Sequence, residues 1–185
     1  MRLPDVTLQQ VLETPSPDWR SLPELRDAAV LAPIYEANGQ DLILYTRRRD
    51  DLKSHAGEVS FPGGGREGDE TALECALRES QEEIGLDPAS VTVLGRLPER
   101  RSIGGYRVHV FVGRIPTIEG LTIDPGEVQH MLSIPVGELM REERWEYRDM
   151  SDDKRRYRVP FFPHEGDMLW GLTARLTLDL LERLP

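Results

Sequence analysis

The sequence predicts an α/β (α+β) fold in which a mixed β-sheet packs between helices. Three observations indicate this class: an early β-hairpin pattern, an amphipathic helix that follows a glycine-rich turn, and short apolar runs ahead of a final helix. The chain has 185 residues, enough for a sizeable core, so we expect a single domain over residues 1–185.

The first part of the chain contains a cover segment and a hairpin. Residues 1–27 predict one or two short helices interrupted by prolines, and we interpret them as an N-terminal cover. The runs 28–35 and 41–47 have the apolar character of β-strands. Asn38-Gly39 between them predicts a tight hairpin turn, because both residues tolerate positive φ angles.

Three consecutive glycines, residues 63–65, lead into the strongest helix pattern of the chain. The helix is expected to begin near Asp69 or Thr71, and Thr71 and Glu74 have the spacing of a capping box. Gly85 is expected to end the helix in the left-handed conformation. The predicted inward side of the helix consists of Leu73, Ala76, Leu77, Ser80 and Ile84.

Three more strands and a final helix complete the predicted order of elements. The strands are expected at residues 91–97, 107–115 and 129–135, and the helix from about Leu169 to Leu184. A hairpin, a loop, a helix, several strands and a last helix, in that order, fit a mixed sheet between helices.

Composition and charge exclude several classes of protein. The formal net charge of −10 argues against general nucleic-acid binding, because phosphate backbones attract basic surfaces. No apolar run approaches the length of a membrane span, and the N-terminus lacks the apolar core and cleavage site of a secretory signal. The one cysteine, Cys75, excludes an internal disulfide. We therefore expect a cytoplasmic protein that binds neither nucleic acid nor membranes.

Three carboxylates are concentrated on the helix that follows the glycines. Glu79, Glu82 and Glu83 are spaced i, i+3 and i+4, so they are expected to project from the same side. Like charges at this spacing repel unless a cation neutralises them, and carboxylate oxygens suit Mg²⁺ or Mn²⁺. A charge run is usually a solvated helix face. The fixed spacing of these glutamates with Gly64 and Arg78 favours a metal site instead.

The stretch from Gly64 to Leu86, GGREGDETALECALRESQEEIGL, resembles the Nudix box of hydrolases that cleave nucleoside diphosphates linked to another moiety. The pattern G-x5-E-x7-R-E-x-x-E-E-x-G is met by Gly64, Glu70, Arg78, Glu79, Glu82, Glu83 and Gly85. Ser80 stands where the family usually has an aliphatic residue, which we interpret as a change of packing. The resemblance implies an α/β/α sandwich in which the box, residues 64–86, forms a loop, a helix and a loop beside the sheet.

Cleavage of a diphosphate assigns expected roles to the box residues. Metal ions neutralise the diphosphate and lower the pKa of a bound water. Glu79 and Glu83, one helical turn apart, are the first choice as metal ligands, and Glu82 completes the shell directly or through water. Arg78 has the spacing for an ion pair with Glu82. Glu70 is expected to support the loop rather than to bind metal.

The identity of the general base stays open between three glutamates. Within the Nudix family the base is a box glutamate or a glutamate on a later loop. Glu127 is the best later candidate, because a Pro-Gly turn places it at a strand edge. Glu79 and Glu82 are the candidates within the box.

A second resemblance lies immediately upstream and concerns the substrate. Residues 44–64 are similar to the signature of coenzyme A pyrophosphatases, roughly L-L-T-x-R-[SA]-x3-R-x3-G-x3-F-P-G-G. The residues that match it are Thr46, Arg48, Gly57, Phe61, Pro62, Gly63 and Gly64. The chain departs from the signature at Tyr45, Arg49 and Lys53, which replace a leucine, a small residue and an arginine.

This second resemblance implies hydrolysis of coenzyme A or its derivatives to 4′-phosphopantetheine and adenosine 3′,5′-bisphosphate. Arg48 and Lys53 suit the phosphates of such a ligand, although Lys53 lacks the planar fork of an arginine. Gly63 and Gly64 are expected to let the backbone approach the substrate closely. The expected partner is therefore a small nucleotide; the oligomeric state is not predicted.

Two other functions remain compatible with the sequence. One is a Nudix hydrolase with a different substrate, such as ADP-ribose, a dinucleoside polyphosphate, a nucleoside diphosphate sugar or a damaged nucleotide. The other is a binding or regulatory module of the same fold that recognises a nucleotide without cleaving it. The presence of every box glutamate favours an enzyme over such a module.

Overall fold

The computed structural model describes residues 1–19, 24–151 and 156–184. In chain order the elements are α1 (Asp5–Val11), β1 (Arg26–Ala37), β2 (Gln40–Arg48), β3 (Val59–Ser60), β4 (Gly63–Gly65), α2 (Ala72–Ile84), β5 (Thr92–Arg101), β6 (Tyr106–Arg114), β7 (Val128–Pro135), α3 (Val136–Leu139), β8 (Glu146–Ser151), β9 (Arg156–His164), β10 (Asp167–Trp170) and α4 (Gly171–Leu181). Residues 20–23 of the predicted N-terminal cover lie outside the described residues.

Within the described ranges, seven strands pair into one mixed sheet. Five of them follow the path β3-β2-β1-β6-β5, while β4 pairs with β1 and β7 pairs with β2. The pairing of β1 with β6 is parallel, and the other pairings in this sheet are antiparallel. The predicted mixed sheet is therefore confirmed. β1 and β2 pair with each other only at their hairpin ends, over Ile34–Ala37 and Gln40–Ile43. Beyond that point β4 pairs with β1, and β3 pairs with β2.

The two faces of this sheet are buried against different helices. On β1, the odd-numbered Ala29 and Leu31 belong to the core under α2, and the even-numbered Ala32 and Ile34 belong to the core under α4. The alternation follows from the two-residue period of a strand. The sheet therefore forms the middle of three layers, with helices on both faces, as the fold class predicts.

Local sequence signals predicted the hairpin and the ends of α2 correctly. Asn38 and Gly39 have φ angles of 52° and 75°. Thr71 and Glu74 form both hydrogen bonds of the capping box, and Gly85 ends α2 in the left-handed conformation with φ of 66°.

A small antiparallel sheet of β8, β9 and β10 was not predicted from the sequence. Every residue of β8 is exposed, so the strand lacks the apolar alternation that reveals a half-buried strand.

The prediction for the last helix was also wrong at its start, because Leu169 lies in β10 and α4 begins at Gly171. Asp167 joins the two sheets through an ion pair with Arg47, whose Nε lies 3.0 Å away, and through His130 Nε2 at 2.7 Å. No helix formed by the described residues is long and apolar enough to span a membrane.

Gly63 and Gly65 provide a matched pair for testing the β4 register. Gly63 has a φ of 154°, and a Cβ atom there would lie 2.6 Å from Val30 Cα, whereas a Cβ at Gly65 would meet open space. We expect Gly63→Ala to lower the free energy of unfolding by roughly 2 kcal/mol or more. Gly65→Ala is expected to change it by less than about 1 kcal/mol. Urea unfolding of both variants measures the difference, and equal stabilities would contradict this account of β4.

Candidate active site

Helix α2 presents its three predicted site glutamates in different environments. The Glu83 side chain is only 3% exposed, Glu79 is 16% exposed and Glu82 is 59% exposed. The capping box and Gly85 set the ends of the helix, so all three lie in its last two turns. The exposure of the three carboxylates therefore increases from Glu83, which is the most deeply buried, through Glu79 to Glu82.

Glu79 lies directly over the glycine strand. A Cβ atom at Gly64 would overlap the Glu79 carboxyl group, so only glycine allows this approach. Burial raises the pKa of Glu79, and its hydrogen bond from Arg78 opposes the shift. The β4 backbone and the Glu79 carboxylate therefore form one compact surface.

Arg78 ties the box together with a single guanidinium. Its Nη1 donates to Glu79 at 3.0 Å and to Glu82 at 2.9 Å. Its Nε and Nη2 donate to the two oxygens of Glu70 at 2.9 and 2.8 Å, and Nη2 also donates to the Gly65 carbonyl at 3.2 Å. The predicted pair with Glu82 is present. Glu70 also accepts from the Glu67 backbone N–H at 2.7 Å, so it braces the loop, as expected.

Glu83 is a buried carboxylate with an incomplete set of partners. Its Oε1 lies 3.4 Å from Arg48 Nη1, whereas Oε2 has no hydrogen-bond partner among the described residues. Burial raises the pKa of Glu83 to about 8; Arg48 and the Gly63 backbone N–H oppose the shift, and the charges of Glu79 and Glu127 add to it. A buried, unpaired oxygen of this kind is costly unless a cation or donor reaches it.

Glu127 reaches the same site from the turn before β7. The Asp124 backbone N–H donates to the Glu83 carbonyl at 2.9 Å, which anchors this turn to the end of α2. Glu127 Oε2 then lies 3.9 Å from Arg48 Nη2, and its side chain is 51% exposed. Arg48 thus stands between a buried and an exposed carboxylate. It was predicted to bind substrate phosphates, and here its contacts are with these two glutamates.

The carboxylate oxygens of the site suit a hard divalent cation, although they do not converge on a single point. Among the described residues, no group of three or more His, Cys, Asp or Glu side chains is placed to hold a metal ion. Arg78 and Arg48 engage the oxygens instead. The groups available to a metal are carboxylate oxygens. One of them, Glu83 Oε2, has no hydrogen-bond partner among the described residues. These properties match a hard divalent cation rather than a soft metal.

The remaining predicted binding residues are distributed unevenly. Gly63 and Gly64 lie at the site as part of β4. Lys53 is exposed in the loop between β2 and β3, and in the described residues no hydrogen bond or ion pair joins it to the box. The sequence did not identify a role for Arg49, whose Nη1 donates to the Pro125 carbonyl at 2.6 Å. Its only signal was the departure from the small residue of the signature.

The structure accounts for two residues that depart from the family patterns, Ser80 in the box and Tyr45 in the upstream signature. Ser80 is fully buried and donates to the Ala76 carbonyl at 2.7 Å, so its hydroxyl is satisfied within α2. Tyr45 replaces a leucine, and its hydroxyl lies 3.1 Å from Thr177 Oγ1 on α4. Both hydroxyl groups therefore have partners other than the site glutamates, and both residues affect packing. Cys75 is also buried, and burial raises the pKa of its thiol to about 12, which disfavours a reactive thiolate.

The raised pKa of Glu83 predicts how the metal-free protein responds to pH. Between the ordinary value of 4.5 and about 8, the folded protein holds a proton that the unfolded chain has lost, so stability falls as pH rises. At about 1.4 kcal/mol per pKa unit, the loss between about pH 5.5 and 8 is expected to be on the order of 3 kcal/mol. Glu83→Gln cannot ionise and is expected to be less sensitive to pH. Urea unfolding in EDTA at about pH 5.5 and 8.5 tests this. A wild-type slope in the variant would exclude Glu83 as its source.

Comparison with known proteins links this site to one family. The family profile described as NUDIX domain matches residues 25–154. The uncharacterized Nudix hydrolase NudL of Photorhabdus laumondii is 36% identical over 174 residues, which are 94% of this chain and 92% of that protein. The protein of the same name from Pectobacterium atrosepticum is 36% identical over 165 residues, or 89% of this chain and 85% of that protein.

Solved structures share the fold at much lower identity. A protein from Deinococcus radiodurans has a TM-score of 0.56 and 15% identity, over 86% of this chain and 88% of that chain. The NUDIX domain of Shewanella oneidensis NrtR, in complex with ADP ribose, has a TM-score of 0.52 and 15% identity, over 67% of this chain and 81% of that chain. These similarities concern the fold alone.

Proposed function

This chain belongs to the Nudix hydrolase family, and on that premise we propose that it cleaves the diphosphate bond of coenzyme A or its derivatives. The products are 4′-phosphopantetheine and adenosine 3′,5′-bisphosphate. The observation that carries the proposal is the position of Arg48, the first arginine of the coenzyme A signature. Its guanidinium lies 3.4 Å from box Glu83 and 3.9 Å from Glu127. The upstream signature and the box therefore meet at one place.

Glu79, Glu82 and Glu83 are the proposed ligands of Mg²⁺ or Mn²⁺. The support is an all-oxygen donor set, the free Oε2 of buried Glu83, and the raised pKa values of Glu79 and Glu83 when no cation is bound. Bound divalent cations supply charge neutralisation of the diphosphate and activation of water. Glu82 is exposed and would join directly or through water, while Arg78 orients the group.

Glu127 is the proposed general base, with Glu79 and Glu82 as the remaining candidates. Glu79 and Glu82 both accept from Arg78 Nη1, at 3.0 and 2.9 Å. Glu127 has a longer contact, 3.9 Å to Arg48, and it is half exposed. A carboxylate that is free to reorient is better suited to take a proton from the attacking water.

Arg48 and Lys53 are the proposed phosphate-binding side chains. Arg48 lies between Glu83 and Glu127, so its guanidinium is beside the proposed metal ligands, where the diphosphate is proposed to bind. Lys53 extends from the exposed loop before β3 and suits a phosphate further from the cleavage point. Gly63 and Gly64 offer backbone without side chains beside these groups.

Hydrolysis of another nucleoside diphosphate derivative is the second candidate function. Lys53 replaces the second arginine of the signature, and its ammonium cannot grip a phosphate at two points. This departure leaves room for a substrate without the 3′-phosphate of coenzyme A, such as ADP-ribose or a dinucleoside polyphosphate. A binding module that cleaves nothing is the least favoured function, because all box glutamates are present.

A substrate panel tests the proposed reaction. We expect the protein with Mg²⁺ or Mn²⁺ to cleave coenzyme A faster than ADP-ribose, a dinucleoside polyphosphate or a nucleoside diphosphate sugar. Chromatography identifies the products. Failure to cleave any member of the panel would exclude the enzyme, and activity confined to ADP-ribose would exclude coenzyme A.

Substitution of Glu83 tests the proposed metal site. Glu83→Gln keeps the shape of the side chain and removes its charge, so we expect kcat to fall by about 100-fold or more while substrate still binds. Glu143→Gln, at an exposed glutamate paired with Arg141, serves as the control. Full activity in Glu83→Gln would remove Glu83 from the metal site.

Coenzyme A and its 3′-dephospho form together test the proposed role of Lys53. Loss of one charge-assisted contact to phosphate corresponds to roughly tenfold in affinity. We therefore expect Lys53→Ala to raise the KM for coenzyme A about tenfold, with kcat nearly unchanged. The KM for 3′-dephospho-coenzyme A is expected to stay constant. An equal increase for both substrates would contradict a contact with the 3′-phosphate.

A further inference from the structure

Arg49 contacts the turn that carries Glu127 at two points. Its Nη1 donates to the Pro125 carbonyl at 2.6 Å, and its backbone N–H donates to the Glu127 carbonyl at 3.0 Å. The side chain and the main chain of one residue therefore hold both ends of the Pro125–Glu127 segment. This contact is not part of the coenzyme A signature, which has a small residue at the position of Arg49.

Asp51 fixes the direction of the Arg49 guanidinium. Arg49 Nε and Nη2 donate to the two oxygens of Asp51 at 2.7 and 2.6 Å. This planar pairing raises the pKa of Arg49 and lowers that of Asp51. It leaves Nη1 as the group that points to Pro125. The rigid fork of an arginine is suited to such a double task, because its donors lie in one plane.

The turn is also closed by its own hydrogen bonds, because the backbone N–H groups of Glu127 and Val128 donate to the Asp124 carbonyl at 3.1 and 2.9 Å. The Asp124 backbone N–H is bonded to the Glu83 carbonyl, and the Asp124 side chain accepts from the Gly126 backbone N–H at 2.8 Å. A β-bulge follows, because Arg47 pairs with His130 whereas Arg48 pairs with Val128. The extra residue redirects the chain at the start of β7. The internal hydrogen bonds set the shape of the turn, and its attachment to the rest of the protein involves α2 at one end and Arg49 at the other.

We propose that Arg49 is a positioning residue that holds the Asp124–Glu127 turn so that Glu127 faces Arg48 and Glu83. The proposal rests on the proposed function in one respect, the role of Glu127 as the general base. Arg49 is 39% exposed and its pairing with Asp51 lies at the surface, so its loss affects the turn more than global stability. A displacement of about 1 Å in a reacting group costs up to about 100-fold in rate.

Hydrogen exchange tests the contact without reference to catalysis. In Arg49→Ala, the backbone amides of residues 126–128 are expected to exchange at least about fivefold faster than in the wild type, because one anchor of the turn is lost. Arg141→Ala is the matched control, because Arg141 Nε donates to Glu143 two residues later at 2.7 Å, with the same spacing as Arg49 and Asp51. Unchanged exchange of the turn in Arg49→Ala would overturn the proposal.

A double-mutant cycle with Glu127→Gln tests the functional consequence. We expect Arg49→Ala to lower kcat for coenzyme A about tenfold with KM within about twofold, and to cause no further loss when Glu127→Gln is already present. The same fractional loss in both backgrounds would show that Arg49 does not act through Glu127 and would overturn the proposal.

The two experiments also separate this proposal from the proposed function. If the wild type cleaves no nucleotide, the proposed function fails, and hydrogen exchange still reports whether Arg49 holds the turn. If Glu127→Gln alone leaves kcat unchanged, the assignment of the base fails, and the catalytic part of the Arg49 proposal fails with it.

Discussion

The crowding of carboxylates at the end of α2 is the constraint on which the rest of the site depends. Glu83 is buried beside Glu79, and the charge of Glu127 approaches from a separate turn. Burial of a charged group is costly unless opposite charge compensates it, and like charges add to that cost. The site therefore requires cations at fixed positions. In the structure two arginines provide part of the compensation, and the unpaired Oε2 of Glu83 shows that it is incomplete.

The two arginines connect different parts of the fold through this requirement. Arg78 lies on α2 itself and reaches back to the loop before the helix, so the box is braced internally. Arg48 lies at the end of β2 and joins that strand to Glu83 and Glu127. The electrostatics of one helix thus determine how the sheet edge and the later turn approach it. Family membership accounts for the box, and the contacts of Arg48 account for why the upstream signature belongs to the same site.

Local features of this site could be predicted from the sequence, and tertiary ones could not. The hairpin at Asn38, the capping box at Thr71 and the stop at Gly85 depend on a few neighbouring residues, and each was predicted correctly. The exposed strand β8 has no apolar alternation, so nothing in its pattern indicated the second sheet. The contact of Arg49 ends on a backbone carbonyl, which every residue possesses, so no sequence pattern marks its partner. The depth of Glu83 relative to Glu82 likewise depends on how α2 packs on the sheet.

The glycine strand β4 has a consequence for how such a protein diverges. β4 is located by backbone pairing with Ala28, Ala29 and Val30 of a central strand, and it carries no side chains of its own. The exposed side chains of the loop between β2 and β3 lie outside that pairing. The proposed function assigns the scissile bond to the neighbourhood of β4 and part of the ligand binding to this loop, so the two rest on separate interactions. On that proposal, substitutions in the loop alter the ligand that is accepted while the register of β4 stays constant, and new specificities arise on an unchanged set of box residues.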